Sequence, residues 1–300
     1  MLAVRIKQID AFTQQPFQGN PAGVVTDAEL LTDEEMQLIA REMNLSETAF
    51  ITESDEADLR LRWFTPTQEV DLCGHATIAA FHALAEEGKF GIEVGAELAF
   101  RVETRSGVLE VQLDWDEQQP IISFELPVHQ FEEAPLSKKR LAEALHLKAT
   151  DFEATPMRAS NGYSYTLVKE RSLIDKARPN YQKIQSWWDD YGINALALAT
   201  VNTTDDVQWD MRFFAPALGV NEDPVTGSAN GPMALYLWHQ NKLHFDDDGT
   251  LSARGLQGRT IGRPGFVEIK AKCNKAEVVT SLYILGRAVT VMDGTLHLEN

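Results

Sequence analysis

Residues 4–12 alternate apolar and polar side chains, the period-two signature of a strand with one buried face. A turn-rich stretch, Pro16-Phe17-Gln18-Gly19-Asn20-Pro21, follows it. Thr32 with Glu35 three positions on forms a capping box that predicts a helix start. Met36, Ile39, Ala40 and Met43 give that helix one apolar face. Strands are predicted over 48–52 and 59–64. Residues 76–84 are apolar on nearly every side, which predicts a helix buried all round. Three more strands fit 98–103, 108–113 and 121–126, and 127–135 reads as a connector. The order then resumes. A helix over 137–147, strands over 163–168 and 195–201 with a helix near 180–188 between them, a strand over 207–214 and an apolar helix over 233–239 precede a strand-rich tail.

The second half repeats the first. An offset of 150 lays Arg62-Trp63-Phe64-Thr65-Pro66 on Arg212-Phe213-Phe214-Ala215-Pro216, and Leu59 and Leu61 on Trp209 and Met211. After a three-residue insertion, Cys73-Gly74-His75-Ala76 falls on Thr226-Gly227-Ser228-Ala229. Two units of this size predict a duplicated α/β domain, since a solenoid needs more and shorter repeats.

Each half therefore has a strand, a loop and a glycine leading into an apolar helix. Helix starts of this kind present free N–H groups and the positive end of a dipole, which suit a carboxylate or a developing enolate. A plain helix-start turn would also need such a glycine. The same offset sets Glu47 against Ala197, so one half carries a carboxylate where the other carries a methyl. Glu47 is a candidate general acid/base, or else a surface residue at a strand end. Asp223, in the inserted Glu222-Asp223-Pro224, could bond a substrate or tie down its own loop. His75, in the place of Ser228, could move a proton or cap its helix. Cys73 with His75 suggests a thiol nucleophile, though residues so close in sequence rarely form that pair. The seven histidines are scattered, with no HxxxH or CxxC spacing, so no metal site is expected. Gly255-Leu256-Gln257-Gly258-Arg259 through Arg263 reads as a turn with surface arginines, lacking the context of a nucleotide loop.

A formal net charge of −18 argues against nucleic acid and anionic membrane as partners. It leaves room for a small anion held by backbone N–H groups. No apolar run is long enough to cross a bilayer. No signal peptide is visible at the start, and two cysteines cannot build a disulfide framework, so the cytoplasm is the expected location.

Gly19-Asn20-Pro21-Ala22-Gly23-Val24, Ser46-Glu47-Thr48-Ala49-Phe50, Cys73-Gly74-His75-Ala76-Thr77 and Glu222-Asp223-Pro224-Val225-Thr226-Gly227-Ser228-Ala229 together resemble the phenazine-biosynthesis (PhzF-like) isomerase family. The resemblance spans nearly the whole chain. It implies a diaminopimelate epimerase-like α/β (α+β) fold of two pseudo-symmetric domains, each a barrel-like, mostly antiparallel sheet around a central helix. The domains would be 1–126 and 127–300, with the last strand returning to the first. The resemblance also implies an isomerase that uses no cofactor, acts on a small carboxylate in the interdomain cleft and works as a homodimer. Glu47 would transfer the proton, and His75 and Asp223 would assist. Gly74, Gly227 and Ser228 would hold the carboxylate, with Asn20 lining the cleft. Related epimerases use two cysteines, but here Thr226 takes the second place, which disfavours a two-thiol racemase. The run Asn230-Gly231-Pro232-Met233 resembles a branch of the family whose members mostly lack an assigned substrate. A single-site amino-acid epimerase and a non-catalytic ligand-binding protein are the other readings.

Overall fold

The opening alternation forms strand β1 (Leu2–Ala11), which pairs antiparallel with β2 (Asn20–Val25). Gly19 makes the turn between them possible. Its φ is +62°, and a Cβ there would lie 2.1 Å from the carbonyl oxygen of Ala11. Helix α1 (Asp33–Met43) begins on the predicted capping box, with Thr32 Oγ1 accepting from Glu35 N and the Glu35 carboxylate accepting from Thr32 N. Strands β3 (Glu47–Thr52), β4 (Leu59–Phe64) and the short β5 (Glu69–Val70) lead to helix α2 (Gly74–Glu87). Every residue of α2 from His75 to Leu84 is buried, as its apolar composition predicts. Ile78, Phe81 and Leu84 each stabilise the fold by roughly 1.5–3 kcal/mol through burial. Strands β6 (Leu98–Thr104), β7 (Gly107–Asp116) and β8 (Gln119–Glu125) follow.

The computed structural model describes residues 2–204 and 206–298. It separates into two units, Met1–Glu125 with Leu285–Asn300, and Leu126–Ile284. The second unit opens with β9 (Phe131–Glu133), inside the stretch expected as a connector, and α3 (Lys138–Leu145). Then come β10 (Met157–Ala159), β11 (Tyr163–Leu167), α4 (Arg171–Lys176), α5 (Tyr181–Tyr191), β12 (Ala195–Thr204), β13 (Val207–Ala215) and β14 (Val220–Asp223). Helix α6 (Gly227–His239) precedes β15 (Thr250–Gln257), β16 (Gly265–Cys273) and β17 (Val279–Gly286). The last strand, β18 (Ala288–Leu298), lies antiparallel to β1 in the first unit.

The two units repeat one pairing scheme. In the first, β1–β2 is antiparallel, β2–β3 parallel, β3–β4 antiparallel, β4–β6 parallel and β6–β7 antiparallel. In the second, β10–β11, β11–β12, β12–β13, β13–β15 and β15–β16 follow the same alternation. In the first unit α2 packs against β1, β2 and β3 and also against β8 and β18, so the sheet curls around the helix. In the second, α6 packs against β11 and β16.

Side chains repeat as well. Arg62 grips Glu69 through Nε and Nη2 at 2.7 and 2.9 Å, and Arg212 grips Glu222 in the same way at 2.8 and 2.7 Å. Each guanidinium also stacks over a phenyl ring, Arg62 on Phe64 and Arg212 on Phe214. The register corrects one equivalence drawn from sequence. Arg62 lies opposite Phe50 and Arg212 opposite Leu198, so the offset falls from 150 on β4 and β13 to 148 on β3 and β12. The β12–β13 hairpin is two residues longer than its counterpart. Glu47 therefore matches Ala195, not Ala197. The slip of two keeps the same face of the strand, and the contrast of carboxylate with methyl stands.

Candidate active site

In the first unit, Glu47 begins β3 beside Ala22 of β2, half-buried. Asn20 begins β2 and is fully buried. Cys73 is the N-cap residue of α2 in extended conformation, and no side chain caps the helix. The first-turn N–H groups of Gly74, His75 and Ala76 consequently have no intrahelical acceptor. The first helical bond is Thr77 N to Cys73 O at 3.0 Å, with Thr77 Oγ1 also donating to that carbonyl at 2.7 Å.

His75 joins these parts. Its Nε2 lies 3.4 Å from Glu47 Oε2 and 3.3 Å from Ser46 Oγ, while Nδ1 lies 3.4 Å from Cys73 Sγ. Cys73 and His75 thus meet despite being two residues apart, which sequence spacing argued against. The extended N-cap backbone turns the thiol back toward the first helical turn. Glu47, Cys73 and His75 also bring three potential ligand atoms within 4.8 Å of one another. The imidazole, however, presents opposite ring nitrogens to the thiol and to the carboxylate. That is the geometry of a proton relay rather than of three donors converging on one ion.

In the second unit, Thr226 takes the N-cap position of α6, again extended and again without a side-chain cap. Its Oγ1 donates to Asp223 Oδ2. Gln257, fully buried on β15, donates to Asp223 O at 2.8 Å and accepts from Thr226 N at 3.0 Å and from Asn230 Nδ2 at 2.8 Å. Trp209 Nε1 donates to Asn230 Oδ1 at 3.0 Å. The network fixes the loop from Asp223 to Thr226 and leaves the first amides of α6, at Gly227 and Ser228, unclaimed within the helix. Tyr163, at the start of β11, has the Ser228 side chain and the Asp223 carboxylate near its phenol. Burial pushes its phenol up, the polar Ser228 side chain works the other way, and the nearby Asp223 carboxylate adds to the rise, so the hydroxyl stays protonated at neutral pH.

Sequence reasoning picked out Glu47, His75, Asp223, Asn20, Gly74, Gly227 and Ser228. The structure brings Glu47 and His75 together in one unit, and Asp223 and Ser228 around Tyr163 in the other. Tyr163 and Gln257 were missed. In the register, Tyr163 lies beside Ala195 as Ala22 lies beside Glu47, so a tyrosine replaces alanine next to the position that lost its carboxylate. The segment read as a turn with surface arginines is partly strand β15. Its Arg259 is half-buried and bonds Asp210 at 2.9 Å and Asp175 at 2.6 Å. Among the described residues, no helix is long and apolar enough to cross a membrane.

The fold is that of the epimerase-like class, and the family match and relatives below make the protein an isomerase. A solved hydroxyproline epimerase from Agrobacterium vitis superimposes at a TM-score of 0.59 with 12% identity, covering 98% of this chain and 91% of its own. A Bacillus anthracis phenazine biosynthesis protein of the PhzF family superimposes at 0.90, with 31% identity over 99% of this chain and all of the other. The family model for phenazine biosynthesis-like protein (PhzC-PhzF) matches residues 9–294, and the chain belongs to that family. An uncharacterised isomerase of Clostridium acetobutylicum is 39% identical, covering 97% of each chain. One from Escherichia coli K12 is 37% identical over 98% of this chain and 99% of the other.

Proposed function

We propose that the protein isomerises a small carboxylate-bearing metabolite by moving one proton with Glu47, without a cofactor. The observation that carries this reading is the pairing of Glu47 with His75, 3.4 Å apart, at the uncapped start of a buried helix. Glu47 takes a proton from a carbon next to the substrate carboxylate. The electron pair left behind spreads onto the carboxylate as an enediolate. The amides of Gly74, Gly227 and Ser228 hold that charge, with about half a positive charge from each helix dipole behind them. Where a C=C bond adjoins that carbon, the pair also spreads across it, and Glu47 returns the proton to its far carbon as the double bond shifts inward, so no net proton is consumed. His75 and Ser46 orient the carboxylate. Asp223 and Asn20 engage the substrate's other polar groups. Donors that bind the enediolate more tightly than the carboxylate lower the barrier rather than merely aid binding.

The test is incubation with a pool of small carboxylates in deuterated water, followed by mass spectrometry. A pool member that gains deuterium with wild-type protein and not with Glu47→Gln supports the reading. Equal labelling by both proteins removes Glu47 from the role.

The contact between Cys73 Sγ and His75 Nδ1 favours one second reading, an epimerase in which the thiol shares the proton transfer. Such an enzyme would introduce deuterium at a stereocentre with inversion, and serine at position 73 would abolish it.

A further inference from the structure

We propose that a small dianionic oxyanion of the phosphate class binds in an arginine-lined pocket of the second unit, apart from the residues assigned to catalysis. The pocket is an open depression of about 430 Å³ lined by Asp175, Arg178, Arg212, Arg259 and Thr260.

Three observations support it. First, the pocket is more basic than its fold requires. At the matching place in the first unit one guanidinium, Arg62, bonds two carboxylates, Glu69 and Asp33, with Arg60 nearby. In the second unit Arg212 keeps the equivalent pair with Glu222. Arg178 and Arg259 line the pocket beside it, Arg171 lies next to them, and among the described residues the carboxylates that Arg171 and Arg259 bond are Asp175 and Asp210. Four guanidiniums against three carboxylates leave a local positive field on a chain with a net charge of −18.

Second, one of these charges has no counter-ion. Arg178 spends Nη1 on the carbonyl oxygens of Asp175 and Ala177, at 2.7 and 3.0 Å. Among the described residues it pairs with no carboxylate. Among the described residues, no hydrogen bond is made by Nε and Nη2 of the exposed Arg178 or by Nη1 of Arg259, and both residues line the pocket. Third, those donors come from two separate planar forks, which suits a tetrahedral anion with several acceptor oxygens.

The pocket is also wired to the second-unit cluster. Arg212 grips the Glu222 carboxylate, and Thr260 Oγ1 donates to it at 3.2 Å. Glu222 directly precedes Asp223, whose carboxylate holds Thr226 at the start of α6. An anion drawing on Arg259 and Thr260 would alter the hold on Glu222 and so on Asp223. This coupling rests on the proposed function; the binding site does not.

The test is a titration of the intact chain with inorganic phosphate, and separately with glycerol 3-phosphate, read by thermal shift. Sodium chloride keeps the ionic strength constant. The expected result is a saturable rise in Tm whose half-saturation moves about tenfold or more in Arg178→Gln, the worth of one lost charge-assisted contact. Arg178→Gln removes no side-chain ion pair, so its fold should survive, and its own Tm without ligand checks this. A tighter response to the ester than to phosphate would support a phosphorylated metabolite as ligand, and an equal response would support free phosphate. Absence of saturation with both anions, or identical curves for wild type and Arg178→Gln, would overturn the proposal.

Discussion

His75 stands between Glu47 and Cys73, with Nε2 3.4 Å from the carboxylate and Nδ1 3.4 Å from the thiol. The imidazole can therefore pass a proton either way, and the two flanking groups make competing candidates for the base. Glu47→Gln keeps the shape of the side chain and removes its basicity. Turnover should fall by at least about 10²-fold, in line with general acid–base contributions. Circular dichroism and Tm should stay near wild type, because Glu47 lies at the strand start. Turnover close to wild type would pass the role to another group.

Cys73→Ser separates the two readings from the other side. If Glu47 alone moves the proton, the variant should retain most of its turnover, since no side chain, the thiol included, caps α2. Loss of all turnover in a folded Cys73→Ser protein would favour the epimerase with thiol chemistry.

Tyr163→Phe tests the second unit. The hydroxyl lies near Ser228 and Asp223, and its removal leaves the ring packed on Phe213. A loss of about tenfold in kcat/KM is expected, the size of one hydrogen bond, with Tm little changed. An unchanged kcat/KM would make the tyrosine a packing residue only.

Much of this was legible along the chain because its causes are local. The capping box at Thr32 and Glu35, the all-apolar helices and the two glycine-led helix starts depend on neighbours a few residues apart. The repeat was legible through the Arg62 and Arg212 motifs. The true partner of Glu47 was not, because the β12–β13 hairpin is two residues longer than the β3–β4 hairpin and a single offset cannot follow the change. Gln257 was hidden for another reason. It reaches Thr226 and Asp223 from a strand some thirty residues downstream, and nothing near it in sequence marks a buried glutamine as a clamp. Helix α4 is only six residues long and carries too little apolar pattern to be noticed.

Acid should loosen the first unit through Glu86. Burial alone would push its carboxyl up, but hydrogen bonds with His82, Lys7 and Thr290 bring it down to about 2 from an ordinary value of 4.5. A carboxylate with a depressed folded pKa contributes stability that is fully present above 4.5 and is lost as pH falls toward 2. Partial exposure of the side chain reduces the size of the effect. A plot of Tm against pH should therefore be steeper between pH 4.5 and 2 for wild type than for Glu86→Gln. Parallel curves would show that the ion cluster around Lys7 contributes nothing there.

Gly255 lies against the residues that fix the start of α6. A Cβ at this position would stand 2.4 Å from Asn230 Oδ1 and 2.4 Å from two atoms of the Trp209 indole. Both neighbours are fully buried and hydrogen-bonded to each other, so neither can move aside cheaply. Gly255→Ala should therefore cost about 2–3 kcal/mol from overpacking and a weakened buried hydrogen bond. The consequence should reach the site, because Asn230 also bonds Gln257 and Thr226 O, and Gln257 in turn holds Asp223 and Thr226 N. Turnover measured well below the Tm of the variant should fall further than stability loss alone would cause. Trp209→Phe in the same background offers the control, since it removes the indole edge that the new methyl would strike. Partial recovery of turnover in the double variant would locate the fault in this contact. A Gly255→Ala protein as stable and as active as wild type would show that the close packing of β15 on Trp209 does not hold the helix start in place.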